Sequence, residues 1–116
     1  MKILIVDDDE DFRQSLQEAL ETSNHNVLAV DSADEAVLAY RQSDDIDLVI
    51  TDYNMPKKNG LTVISEIRKI QPKARVWLVS SAMNDEMKKA AIRAGVEQAL
   101  WKADIRKQLQ QWNIIT

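Results

Sequence analysis

The chain has 116 residues, with 15 Lys and Arg against 19 Asp and Glu, a formal charge of −4 and no Cys. That length reads as one domain, 1–116, long enough to bury about two thirds of its unfolded surface without a metal or disulfide to hold it. The acidic balance argues against direct nucleic-acid binding, which leaves a basic footprint, and the lack of Cys rules out thiol chemistry and fits a reducing compartment.

The first apolar run, Ile3-Leu4-Ile5-Val6, ends at Asp7-Asp8-Asp9-Glu10. It is too short and too quickly acidic for a signal peptide. No other stretch approaches the 18 or so apolar residues of a membrane span, so the chain is expected to be soluble and cytoplasmic, with no membrane partner. Continuous apolar runs suit strands covered on both faces and predict a strand near 2–6. Phe12, Leu16, Ala19 and Leu20 then share one helical face. A second strand follows near 26–30. Ser32 with Glu35 makes a capping box for a helix whose stripe is Ala33, Val37 and Tyr40. After a strand near 46–51 comes a helix with Val63, Ile67 and Ile70 on one face, ended by Gln71-Pro72. A strand near 74–79 leads to a helix capped by Asn84, with Met87, Ala91 and Ala94 on its face and Gly95 at the left-handed terminator position. A strand near 97–101 precedes a last stripe of Ile105, Leu109 and Trp112, all three assigned to the core. Five strands alternating with five helices give a (βα)5 α/β domain, and right-handed crossovers make a doubly wound parallel sheet.

Chemistry gathers where the strand runs stop. Asp7 and Asp8 follow the first, Asp52 the third, Ser80 the fourth and Lys102 the fifth. In an open parallel sheet, ligands bind in the crevice beyond the carboxyl ends of the strands. Three carboxylates, a hydroxyl and an ammonium meeting there would suit a divalent cation and a phosphoryl group. Asp9, Glu10 and Asp11 read instead as helix N-terminal charge favoured by the dipole. His25 precedes the second strand, far from the crevice, and is expected to have no part in the chemistry.

The segment Asp52-Tyr53-Asn54-Met55-Pro56-Lys57-Lys58-Asn59-Gly60, with Asp7-Asp8 before it and Ser80 and Lys102 after it, resembles the receiver domain of two-component response regulators. The resemblance covers the whole chain in order. It implies the sheet order 2-1-3-4-5 and a signalling phosphoacceptor rather than an enzyme with a released product. A sensor histidine kinase or histidine phosphotransfer protein would donate a phosphoryl group to Asp52, and the altered surface would then meet a downstream partner, an output domain or a second copy of the chain. It also implies Mg²⁺ (or Mn²⁺) at Asp8, with Asp7 acting through water, Asp52, and the backbone carbonyl of Asn54. Ser80 and Lys102 would bind the phosphoryl oxygens, and side chains at Asn54 and Ala82 would tune its loss. The physics agrees: a carboxylate nucleophile forms an acyl phosphate, and a hard cation offsets the charge of an anionic donor.

Two positions depart from the family pattern. Receivers usually place proline after the lysine, where this chain has Ala103. A non-proline cis bond costs about 3–4 kcal/mol, so the bond is expected to be trans. Ala99 stands where the family has a switching Tyr or Phe, and Trp101, two residues on and therefore on the same face, is the candidate substitute in the relay. Two rival readings follow: a receiver-like interaction module that works without phosphorylation, and a Mg²⁺-dependent aspartyl-phosphate phosphohydrolase. The phosphohydrolase class usually has a second acid two residues after the nucleophile, where this chain has Asn54, and a capping domain for which 116 residues leave no room.

Overall fold

The apolar runs pair as one parallel sheet in a computed structural model describing residues 1–116. In chain order the elements are β1 (Lys2–Val6), α1 (Glu10–Thr22), β2 (Asn26–Val30), α2 (Ala33–Gln42), β3 (Leu48–Asp52), α3 (Gly60–Ile70), β4 (Val76–Ser80), α4 (Asp85–Arg93), β5 (Gln98–Trp101) and α5 (Ile105–Gln111), with a short 3₁₀ turn over Lys102–Asp104. The strand order is β2-β1-β3-β4-β5, as expected. β3 and β4 begin and end later than their apolar runs suggested. Asp47 N–H bonds Lys2 O before the β3 ladder begins, and Tyr53 N–H bonds Val79 O at 2.8 Å after it. Asp52 and Ser80 are thus the last residues of their strands.

Side chains alternate across a strand, and here both faces are apolar. Leu4, Val6, Val49, Val76 and Leu78 meet Ala33, Ala36, Val63, Ile64, Ile67 and Ala91 from α2, α3 and α4. On the other face Ile3, Ile5, Ile50, Trp77 and Val79 meet Leu16, Leu20, Ile105 and Leu109 from α1 and α5. Both N-caps form, Ser32 accepting from Glu35 N–H at 3.2 Å and Asn84 from Met87 N–H at 2.8 Å, but no return bond from the Glu35 carboxylate completes the capping box. Gly95 has φ +77°. A side chain there would crowd Arg68, whose guanidinium forks from α3 onto the carbonyls of Ala94 (3.2 Å) and Gly95 (2.7 Å) at the end of α4.

Two residues of the predicted apolar faces are exposed, and Ala19 and Val37 are only part-buried and join neither cluster. Ile70, in the last position of α3, is 39% exposed. Trp112 is 40% exposed, because α5 ends at Gln111 and the chain turns through a left-handed Asn113 (φ 57°). Its ring lies edge-on to the fully buried Trp77, with centroids 5.5 Å apart. His25, as expected, lies away from the strand ends that carry the acids: its Nε2 is 2.6 Å from the carbonyl of Ile114.

Candidate functional site

The connection from β1 to β2 runs one way along the sheet and the connection to β3 the other, so the chain reverses direction between β1 and β3. In such sheets the crevice at that reversal is the binding position. Asp7 and Asp8 leave β1 there, and Asp52 closes β3 beside them. One carboxylate oxygen from each of the three lies within 4.8 Å of the others. Asp7 and Asp52 are 1% and 4% exposed, whereas Asp8 faces outward.

Local bonds hold these acids. Asp7 Oδ1 accepts from Asp9 N–H at 2.9 Å, and its carbonyl accepts from Arg13 Nη1 at 2.7 Å. Asp9 itself caps α1, accepting from Asp11 and Phe12 N–H. Asp52 Oδ1 accepts from Asn54 N–H at 3.4 Å. The loop after Asp52 folds back so closely that a Cβ on Gly60 would collide with the Asp52 carbonyl and lie 2.7 Å from Leu78 Cδ1. Only glycine fits that approach, which explains the final residue of the Asp52–Gly60 segment. On β4, the fully buried Ser80 accepts at Oγ from Ala82 N–H (3.2 Å) and from the Asn54 side-chain amide (3.4 Å).

Lys102 reaches the site from β5. The chain has no cis peptide bond, so the Lys102–Ala103 bond is trans as expected, and the 3₁₀ turn begins at Lys102 itself. Its Nζ lies 2.7 Å from Asp7 Oδ2, 3.5 Å from Asp52 Oδ2 and 4.7 Å from the centroid of the Phe12 ring. Burial alone would lower the ammonium's pKa, but contact with Asp7 and the charge of Asp52 outweigh it and leave the pKa raised. The Asp52 carboxyl is pushed up to about 6, first by burial and next by the charge of Asp7; Lys102 and the Asn54 N–H pull the other way without cancelling the shift.

Three carboxylates against one ammonium leave two negative charges over. Asp7 Oδ2 accepts no aligned hydrogen bond despite the nearby ammonium. Hard oxygen ligands in that number, one with a lone pair to spare, suit a divalent cation.

The predicted residues Asp7, Asp8, Asp52, Asn54, Ser80 and Lys102 therefore meet at one end of the sheet. On the fifth strand Trp101 pairs with Ser80 at the same end of the sheet but is 44% exposed, and Ala99 lies two residues back, opposite Leu78. Three contributors escaped sequence reasoning: the Phe12 ring over Lys102, the Asn54 amide on Ser80 and the close approach at Gly60. Only Gly60, inside the diagnostic segment, carried a signal that spacing alone would reveal.

The model of the response regulator receiver domain family matches residues 3–112. The chain belongs to that family. This receiver is 36% identical over 107 residues to the sensory/regulatory protein RpfC of Xanthomonas campestris, covering 92% of the chain but only 14% of that relative's length. A response regulator receiver protein from Pseudomonas putida superposes with TM-score 0.88 at 30% identity, over 97% of this chain and 94% of that one. The response regulator protein TrrA of Thermotoga maritima, in a structure containing Mg²⁺–BeF, superposes with TM-score 0.81 at 25% identity, over 95% and 96%. The receiver has no helix long and apolar enough to cross a membrane.

Proposed function

We propose that this receiver, as the single domain 1–116, accepts a phosphoryl group on Asp52 from a phosphohistidine of a sensor kinase or phosphotransfer protein, in the cytoplasm. The carrying observation is a buried carboxylate at a strand end, within reach of a lysine and clustered with two further acids. Attack by an Asp52 oxygen forms an O–P bond as the N–P bond of the donor breaks, and the histidine nitrogen leaves with the electron pair. Asp8 and Asp52, the Asn54 carbonyl, and Asp7 through water are the residues to hold Mg²⁺ or Mn²⁺, which when bound supplies positive charge against the incoming phosphate. Lys102 neutralises a phosphoryl oxygen as a compact point charge. The Ser80 hydroxyl, now an acceptor from Asn54 and Ala82, turns to donate to another. That exchange would alter the backbone after β4 and, through it, α4 and β5. The surface change reaches a protein partner or a second copy of the chain, with Trp101 in the relay position that Ala99 leaves empty.

Intact-mass measurement with acetyl phosphate and Mg²⁺ tests the reading. One added phosphoryl group on the native protein and none on Asp52→Asn is the expected result. Equal labelling of both would remove Asp52 from the role. No labelling of either, with partner binding intact, would favour a module that works unphosphorylated, and continuous release of inorganic phosphate at many turnovers would favour a phosphohydrolase.

A further inference from the structure

Lys102 is the one cation within 4 Å of the carboxylate oxygens of Asp7 and Asp52, and its nearest partner is one it must share. Asp7 Oδ2, 2.7 Å from Nζ, belongs to the same cluster of three carboxylates that suits a divalent cation. An ammonium held by Asp7 alone would lose its seat whenever that oxygen turned to another cation, and a side chain with four rotatable bonds would swing out to water. The structure supplies a second seat. The Phe12 ring faces Nζ at 4.7 Å from α1. It is fixed in the first turn of α1, where its own N–H is bonded to the Asp9 cap, and it packs with the core beneath α1 and α5. Arg106, whose Nη2 bonds Ser15 Oγ at 2.9 Å, lines with Phe12 and Lys102 the shallow pocket between α1 and α5.

We propose that Phe12 is a positioning residue for Lys102: its ring face holds the ammonium at the mouth of the acidic crevice independently of Asp7. The inference rests on Asp52 being the phosphoacceptor. An aromatic face attracts an ammonium through its quadrupole, more strongly as water is excluded, yet carries no net charge to compete with a phosphoryl oxygen for it. The ring therefore keeps Lys102 near without binding it so tightly that it cannot transfer. It does from α1 what a rigid loop after the lysine would otherwise do from β5, at a position where this chain has Ala103.

Two readouts test this on the full chain. In NMR spectra of the metal-free protein, the Lys102 Cε–H signals should be shifted upfield by the ring, keep that shift in Phe12→Tyr and lose it in Phe12→Leu. With acetyl phosphate and Mg²⁺, Phe12→Leu should take up the phosphoryl group about fivefold more slowly, and Phe12→Tyr should restore the rate to within about twofold. In a Lys102→Gln background, Phe12→Leu should produce no further slowing, which a general packing defect would not reproduce. Unchanged Lys102 signals in Phe12→Leu would overturn the proposal, as would the same slowing with and without Lys102. A native protein that takes up no phosphoryl group would overturn the phosphoacceptor reading instead, and the ring's hold on Lys102 would then be decided by the Cε–H shift alone.

Discussion

The two ends of the sheet treat charge in opposite ways. At the amino ends of the strands, acids and bases are matched. Lys2 donates its N–H to Asp47 at 2.8 Å and its ammonium to Asp45 at 3.0 Å. Arg75 grips Glu97 with two parallel contacts, Nη2 at 2.7 Å and Nε at 2.9 Å, while buried Trp77 adds its indole N–H to the same carboxylate. Glu97 is held below the usual carboxylate range, chiefly by its bond to Arg75. At the carboxyl ends three acids cluster and one lysine reaches only Asp7 and Asp52, and Asp52 moves the other way. The same functional group is stabilised as an anion at one end and destabilised at the other, and the difference is the supply of donors. A surplus of carboxylates in a buried crevice lowers stability, and that cost is what leaves the crevice able to bind a cation and an electrophile.

The largest expected consequence lies in Asp52. Its folded pKa of about 6 exceeds the ordinary value near 4, so the native state binds its proton more tightly than the unfolded chain. The metal-free protein should therefore lose stability as pH rises from about 4 to about 6, by on the order of 3 kcal/mol, and change little from this group above that. Asp52→Asn removes the charge: at pH 7 it should melt several degrees higher than the native protein, with the gain vanishing near pH 4. Denaturant titrations across that range check it. An Asn variant no more stable at pH 7 would mean the crevice is not strained by its charge.

Metal should relieve the same strain. A divalent cation at ten times its dissociation constant stabilises by about 1.4 kcal/mol, seen as a rise in melting temperature on adding Mg²⁺. Asp8→Ala should abolish the rise while leaving the metal-free fold intact, since Asp8 is exposed. A full response in that variant would take Asp8 out of the metal site.

The smallest effect is expected at the matched end. A group with a depressed folded pKa contributes stability above its unfolded pKa and loses it as pH falls through the folded value. Glu97→Gln should cost about 1 kcal/mol at neutral pH, discounted for a partly exposed pair, and nothing near pH 2. Its Mg²⁺ response should match that of the native protein; a weakened response would show that the two ends are coupled.

The fold was legible because each strand is an uninterrupted apolar run and each acid, hydroxyl or lysine of the crevice directly follows or ends one. Periodicity was less informative at helix ends. It extends a stripe past the point where capping stops the helix, which is why Trp112 was assigned to the core when it lies as an edge-on lid over Trp77. It is also silent on contacts between elements. Phe12 fits the core stripe of α1, and nothing in its spacing says that the same ring also meets an ammonium 90 residues on. Asn54 was assigned through its backbone carbonyl, whereas its side-chain amide is what meets Ser80. The trans bond after Lys102 was foreseen because it follows from local energetics alone.

Arg68 ties the carbonyls at the end of α4 to α3, and no side chain of another helix bonds the start of α4. By polar bonds to its neighbours the helix is thus hinged at its end alone, while its start rests on apolar packing through the buried Met87. On the proposed reading, a push delivered through Ser80 and Ala82 would arrive at that start, farthest from the hinge, where the lever arm is longest and a small displacement would become the largest swing. Exposed Ile92 sits one turn from the hinge and would barely move, while the surface around Asn84, Glu86 and Lys89, beside the groove of about 770 Å³ shared with Tyr53 and Asn54, would sweep through most of the arc.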